Sequence, residues 1–165
     1  MNETPSSKSP AASQVSTPAV SPRTILVPVD FSEPAREALD YAVAFASQFR
    51  ARLVVLHVVE IPYVGSGLGE IELPPVDTEI RGSVTDHLAK IVAEHVGDRL
   101  PAETLTRSGQ PWYEITEAAR ESDVDLIIIG THGYTGLKHV LMGSTAERVV
   151  RHATCPVLVV RNRGK

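Results

Sequence analysis

The sequence predicts a single α/β domain on a doubly wound, open, parallel five-stranded sheet with four helices, Rossmann-like in its alternation. Three observations carry that prediction. Five short β-rich runs alternate with helical patterns; three of the runs are near-continuous Val, Ile and Leu, as strands covered on both faces should be; and right-handed crossovers make a doubly wound sheet the simplest way to join them. With 165 residues, 42% of them hydrophobic, the chain is long enough for one core of ordinary size.

The elements follow in order. Residues 24–30 (TILVPVD) read as the first strand, and Ser32 is placed to cap a helix whose apolar face recurs at Ala35, Ala38, Leu39, Ala42, Ala46 and Phe49. Residues 52–59 (RLVVLHVV) form the second strand. Ile80, Val84, Leu88, Ile91, Val92 and Val96 mark a second helix that stops before Gly97. The third strand, 102–107 (AETLTR), is more polar and suits a sheet edge. Pro111–Glu121 starts with proline in its first turn and puts Ile115, Ala118 and Ala119 on one face. DLIIIG (125–130), a helix over Ser144–His152 and PVLVVR (156–161) complete the alternation.

Residues 1–22 hold six Ser, four Pro, two Thr and no Leu, Ile or aromatic residue, so they are expected to be a disordered tail before a domain over 23–165. The first residues, MNETPSSKSP, lack the basic and apolar segments of a secretory signal, and no run approaches the ~20 apolar residues of a membrane helix. A soluble cytoplasmic protein is expected, with no membrane partner. The single cysteine, Cys155, excludes an internal disulfide.

The net charge of −4 argues against a nucleic-acid partner, whose binders are usually basic. Its distribution is uneven. Residues 60–125 carry five basic and fourteen acidic residues, whereas 130–165 carry six basic residues against Glu147 alone. That last stretch favours an anion or merely flanks helix and strand ends; charge does not choose.

In a doubly wound sheet a ligand sits outside the carboxyl ends of the strands, where the winding reverses. The segment leaving the fourth strand there reads Gly130-Thr-His-Gly133-Tyr-Thr-Gly136-Leu-Lys138-His139-Val-Leu-Met-Gly143-Ser144-Thr145-Ala146-Glu147. Glycines let successive amides turn toward one bound group, and a helix start adds unsatisfied N–H donors, which together suit phosphate. Ser144 and Glu147 also fit an S-x-x-E capping box that needs no ligand. Walker and dinucleotide fingerprints are absent: there is no G-x-x-x-x-G-K-[ST], and Gly65-Ser-Gly67-Leu-Gly69 has the wrong spacing. The seventeen-residue connection 60–76, with three Gly and three Pro, is either a lid or disordered.

Gly130, two residues, Gly133, nine residues, Gly143-Ser144 resembles the ATP-binding signature of the universal stress protein family. The likeness extends over nearly all of 23–161, through ILVPVDFS, LVVLHVV, GQPWYEI, DLIIIGTHG and ATCPVLVVR. It implies a homodimer of small domains, each with sheet order 3-2-1-4-5 and each binding ATP with Mg²⁺ or Mn²⁺. By motif position, Pro28, Val29 and Asp30 would line the adenosine side and Val58 the adenine. Gly130, Thr131, His132, Gly133, Gly143, Ser144 and Thr145 would hold ribose and phosphates. Thr131 stands where many members have Ser.

Asp30, at the carboxyl end of the first strand, suits contact with the nucleotide or its metal, against a plainer role in helping cap the next helix. His57 reads as a core histidine, Cys155 as an inert hydrophobe, and Trp112 and Tyr113 as anchors of helix to sheet. Lys138 pairs with phosphate or with nothing, with no way to choose. No activated nucleophile or paired carboxylates accompany the glycine loop, so no catalytic residue is assigned and hydrolysis is expected to be slow at most. Val157–Val160, an apolar run with neither Pro nor charge, is expected to pair with a second copy if it ends the sheet. The competing readings are a nucleotide-independent dimeric interaction module and a weak ATPase. A phosphotransfer receiver fits poorly, because the third strand ends in Thr106-Arg107-Ser108 rather than Asp.

Overall fold

The computed structural model describes residues 21–61, 78–131 and 142–161. Five strands, β1 (Thr24–Pro28), β2 (Arg52–Glu60), β3 (Ala102–Gly109), β4 (Leu126–Gly130) and β5 (Val157–Val160), form one sheet in the order β3-β2-β1-β4-β5. Every neighbouring pair is parallel. Helices α1 (Glu33–Phe49), α2 (Thr78–His95), α3 (Pro111–Glu121) and α4 (Ser144–His152) make the crossovers.

Side-chain alternation sorts the strands between two cores. Ile25, Val27, Leu53, Val55 and Ile128 face α1 and α2, where they meet Ala38, Leu39, Leu88 and Ile91. Leu26, Val54, Leu56, Ile127 and Ile129 face α3 and α4, where they meet Ile115, Ala118 and Val149. Strands buried on both faces have no polar positions to alternate, which is why these runs read as continuous Val, Ile and Leu. Truncating any one of the fully buried Leu or Ile side chains to alanine should cost about 2–5 kcal/mol.

Local signals set the ends. Ser32 caps α1, its hydroxyl accepting from the Ala35 amide at 3.4 Å, and Arg50 closes that helix in the left-handed region at φ 56°. α2 ends at His95, one residue before Val96, and a single 3-10 turn over Gly97–Arg99 follows.

Strand lengths depart from the sequence reading where tertiary pairing decides. β1 stops at Pro28 rather than 30, since its register with β2 ends at Pro28 opposite Leu56 and the chain then bends away. β3 runs to Gly109 rather than 107, because β2 continues to Glu60 and keeps it paired. Its outer position agrees with its polarity. No helix among the described residues is long and apolar enough to cross a membrane.

Candidate functional site

Where β1 and β4 separate from each other's crossovers, a cavity of about 250 Å³ opens at the carboxyl ends of β1, β2 and β4, between the N-terminal turns of α3 and α4. Pro28, Val29, Asp30, Val58, Gly130, Thr131, Gly143, Ser144 and Thr145 all line it. His132 and Gly133, with Lys138 and His139, lie outside the described residues, as do the glycines of 65–69.

One end is apolar. Leu56 and Val58 project from the α3 face of β2, and Pro111 and Ile115, one helical turn apart on α3, close the slot opposite them. The backbone of β2 adds polarity to that slot. The Val29 amide donates to the Leu56 carbonyl, whereas the Leu53 and Ile61 amides donate to Pro101 and Gly109. Even-numbered residues of β2 thus turn their N–H and C=O toward β1, and at Val58 β1 is no longer in register, so that donor–acceptor pair faces the crevice.

The other end is formed by α4. Its N-cap is Gly143, with no side-chain capping bond, and the first intrahelical bond runs from the Glu147 amide to the Gly143 carbonyl at 3.0 Å. The amides of Ser144, Thr145 and Ala146 therefore have no partner within the helix and sit at its positive end, on the cavity wall. The capping box expected from Ser144 and Glu147 does not form. Ser144 is the first helical residue rather than the cap, and Glu147 pairs instead with Arg151 at 2.6 Å.

Not every amide of the described part of the glycine segment is open to a ligand. The Thr131 amide donates to Val160 at 2.9 Å and the Gly143 amide to Thr131 at 2.7 Å, so both are spent within the fold. Gly130 lines the cavity and is also closely packed from behind: a Cβ there would lie 2.8 Å from the Pro34 carbonyl oxygen.

Asp30 holds a defined rotamer at the cavity wall. Its Oδ1 accepts from the Ser32 amide at 3.1 Å and from the Ser32 hydroxyl, which itself caps α1. The same side chain thus braces the helix start and lines the crevice. The next residue, Phe31, adopts φ 66°, uncommon for a bulky side chain, and its ring stacks on His57 and His87 at 4.4 and 4.3 Å. His57 is half-buried, with Nδ1 2.7 Å from the Val29 carbonyl. It braces the wall from behind, as a core histidine would.

A family model of the universal stress protein family matches residues 22–161. The chain belongs to the universal stress protein family. Universal stress protein MJ0531 of Methanocaldococcus jannaschii is 38% identical over 145 residues, 87% of this chain and 84% of the relative. The solved structure of MJ0577, another universal stress protein of that organism, matches with a TM-score of 0.69 at 31% identity, covering 87% of this chain and 98% of that one. Two more distant structures share the fold. A universal stress protein in complex with cAMP has 21% identity and TM-score 0.61, covering 86% and 98% of the two chains. One from Archaeoglobus fulgidus in complex with dAMP has 24% identity and TM-score 0.56, covering 82% and 95%.

Several features of this universal stress protein's site were not read from the sequence. Leu56, Glu60, Pro111, Ile115 and Ile129 also line the cavity; period-two spacing on β2 and i,i+4 spacing on α3 were the available signals. Phe31 gave none, since nothing local marks a phenylalanine for positive φ. Trp112, on α3, packs toward α4, with its N–H on Gln110 and Arg148 over its ring, while Tyr113 is half-exposed and sets its ring edge-on to Trp112 at 5.8 Å. Cys155 is half-buried, and burial pushes its thiol pKa up, which leaves it an unreactive thiol.

Proposed function

We propose that this universal stress protein is a cytoplasmic adenine-nucleotide-binding regulator, with ATP held across the switch point of the sheet. The observation that carries the proposal is that one cavity joins three amides unpartnered within α4 to an apolar slot whose floor presents the Val58 N–H and C=O. A phosphate chain suits the first and a flat base with a donor–acceptor edge suits the second. Two proteins of the same fold hold cAMP and dAMP, which supports the choice of adenine.

In this reading Gly143, Ser144 and Thr145 receive the phosphates, Gly130 and Thr131 border the ribose, and Pro28, Val29 and Val58 enclose the adenosine. His132 and Gly133 contribute from the same loop by motif position. Mg²⁺ or Mn²⁺ fits only as a nucleotide-borne cation. Asp30 supplies one oriented carboxylate, and no group of three His, Cys, Asp or Glu that could cage a metal exists among the described residues. Such a cation would neutralise phosphate charge, with Asp30 holding it beside the chain. Hydrolysis is slow at most, because among the described residues no Lys or Arg lines the cavity to compensate developing charge.

The regulatory unit in this reading is a homodimer. β5 is the outer strand of the sheet, paired only with β4, and presents Val157–Val160 as an unblunted edge that a second copy would cover by antiparallel pairing. Mass spectrometry of small molecules released from gently purified protein tests the ligand assignment: an adenine nucleotide in near-stoichiometric amount is expected. Protein that releases none and does not bind added ATP with Mg²⁺ contradicts it.

A further inference from the structure

One charged side chain on the cavity wall, Glu60, has no part in the nucleotide reading. Glu60 is the last residue of β2 and lies on the same face as Leu56 and Val58, so it continues the base slot toward solvent. Its surroundings are distinctive. The glutamates of β3, α3 and α4, namely Glu103, Glu114, Glu117, Glu121 and Glu147, each pair with an arginine. Glu60 has no hydrogen bond or ion pair among the described residues.

The reason is positional. Arg107, the register partner of Val58, is the nearest cation along β3, and its guanidinium is committed to Glu114 at 3.6 Å and to Glu121. The register partner of Glu60 itself is Gly109, which offers no side chain, and a Cβ there would collide with Glu114 Oε1 at 2.8 Å. Glu114 and Glu121 therefore take the one guanidinium, and Glu60, on the cavity wall, is left without a cation among the described residues. The α4 amides make the opposite end positive. A carboxylate only accepts hydrogen bonds at neutral pH, so this end suits a donor and rejects a carbonyl oxygen.

Resting on the nucleotide reading above, we propose that Glu60 is a specificity-determining residue that accepts a hydrogen bond from the exocyclic amine of a 6-aminopurine and excludes 6-oxopurines. A carboxylate reads the cytosine amine in nucleic-acid recognition by the same chemistry. The exposure of Glu60 moderates the gain, so its share of the discrimination is about tenfold rather than the 10⁴-fold or more of a fully enclosed polar contact.

Titration of ATP and ITP into the wild type, Glu60→Gln and Glu60→Lys, each with Mg²⁺, tests this. ATP should win in the wild type. In Glu60→Gln the amide can donate to the hypoxanthine oxygen, so ITP should bind more tightly than it does to the wild type and the ATP:ITP ratio should fall about tenfold. Glu60→Lys should take the ratio lower still. Gain of ITP affinity is a readout that damage to the fold would not produce. A ratio unchanged within twofold in both variants overturns the role of Glu60 while leaving nucleotide binding intact, and failure of the wild type to bind either nucleotide overturns the underlying reading and this one with it.

Discussion

Replacing Gly130 with alanine adds one methyl group, yet it is expected to destabilise the protein by about 1–3 kcal/mol. The new Cβ would stand 2.8 Å from the Pro34 oxygen, 3.0 Å from its carbonyl carbon and 3.4 Å from its Cβ. Carbon atoms pack favourably only at about 3.5–4.0 Å. Backbone atoms in the first turn of α1 cannot rotate aside, so the helix must move, and with it Ala35, Ala38, Leu39 and Ala42, all 5% exposed or less. Gly82, inside α2, provides the opposite case: a Cβ there meets nothing within 4 Å. Gly82→Ala should stabilise by about 0.5–1 kcal/mol through helix propensity and a less flexible unfolded chain. At roughly 3 °C per kcal/mol for a domain of this size, the two melting temperatures should part in opposite directions, down by about 3–9 °C and up by about 1.5–3 °C. Urea unfolding with an unchanged m-value checks that stability alone has moved. A Gly130→Ala protein as stable as the wild type would refute the close-approach argument.

Two further outcomes follow from named atoms. Val159→Pro should separate the proposed dimer without unfolding the domain, as read by analytical ultracentrifugation beside circular dichroism. The Thr131 amide donates to Val160 and the Ile127 amide to Pro156, so even-numbered residues of β5 face β4 and the Val159 N–H points outward; proline there removes a donor only from the open edge. A dimer that survives places the contact elsewhere. Asp30→Asn should weaken ATP binding in Mg²⁺ by about tenfold, the scale of one charged contact, while leaving binding in EDTA no weaker than in the wild type. Equal losses with and without the cation would show that Asp30 acts only through the cap of α1.

How much of this was legible follows from how local each determinant is. The run LVVLHVV and the Ser32 cap act through neighbours in sequence, so strands, helices and their alternation along the chain were readable, while the sheet order came with the family resemblance. The extent of β3 was not, because Ser108 and Gly109 are strand only by virtue of the partners Val59 and Glu60. The Ser144–Glu147 spacing fits a capping box, but the helix takes Gly143 as its cap, a one-residue offset that a pattern cannot resolve. The packing constraint on Gly130 was not legible, because glycine carries no record of what its missing side chain would strike; only Pro34, 96 positions upstream, supplies that. The cavity wall shows the same limit. Its motif residues carry a recognisable spacing, while Glu60, Pro111 and Ile115 join it only through the sheet.

The central claim is that the uncapped amides opening α4 receive the phosphates of a nucleotide. Calorimetric titration of ATP with Mg²⁺ into the wild type and Ser144→Glu tests it most directly. A carboxylate at the first helical position favours the helix dipole, so the variant should fold and melt no lower than the wild type, yet it puts negative charge where the phosphates would lie. Saturable binding by the wild type and a loss of at least about 100-fold in the variant are expected, the repulsion of adjacent charges at partly screened distance being enough for that factor. Equal affinity of the two proteins for ATP would contradict the claim.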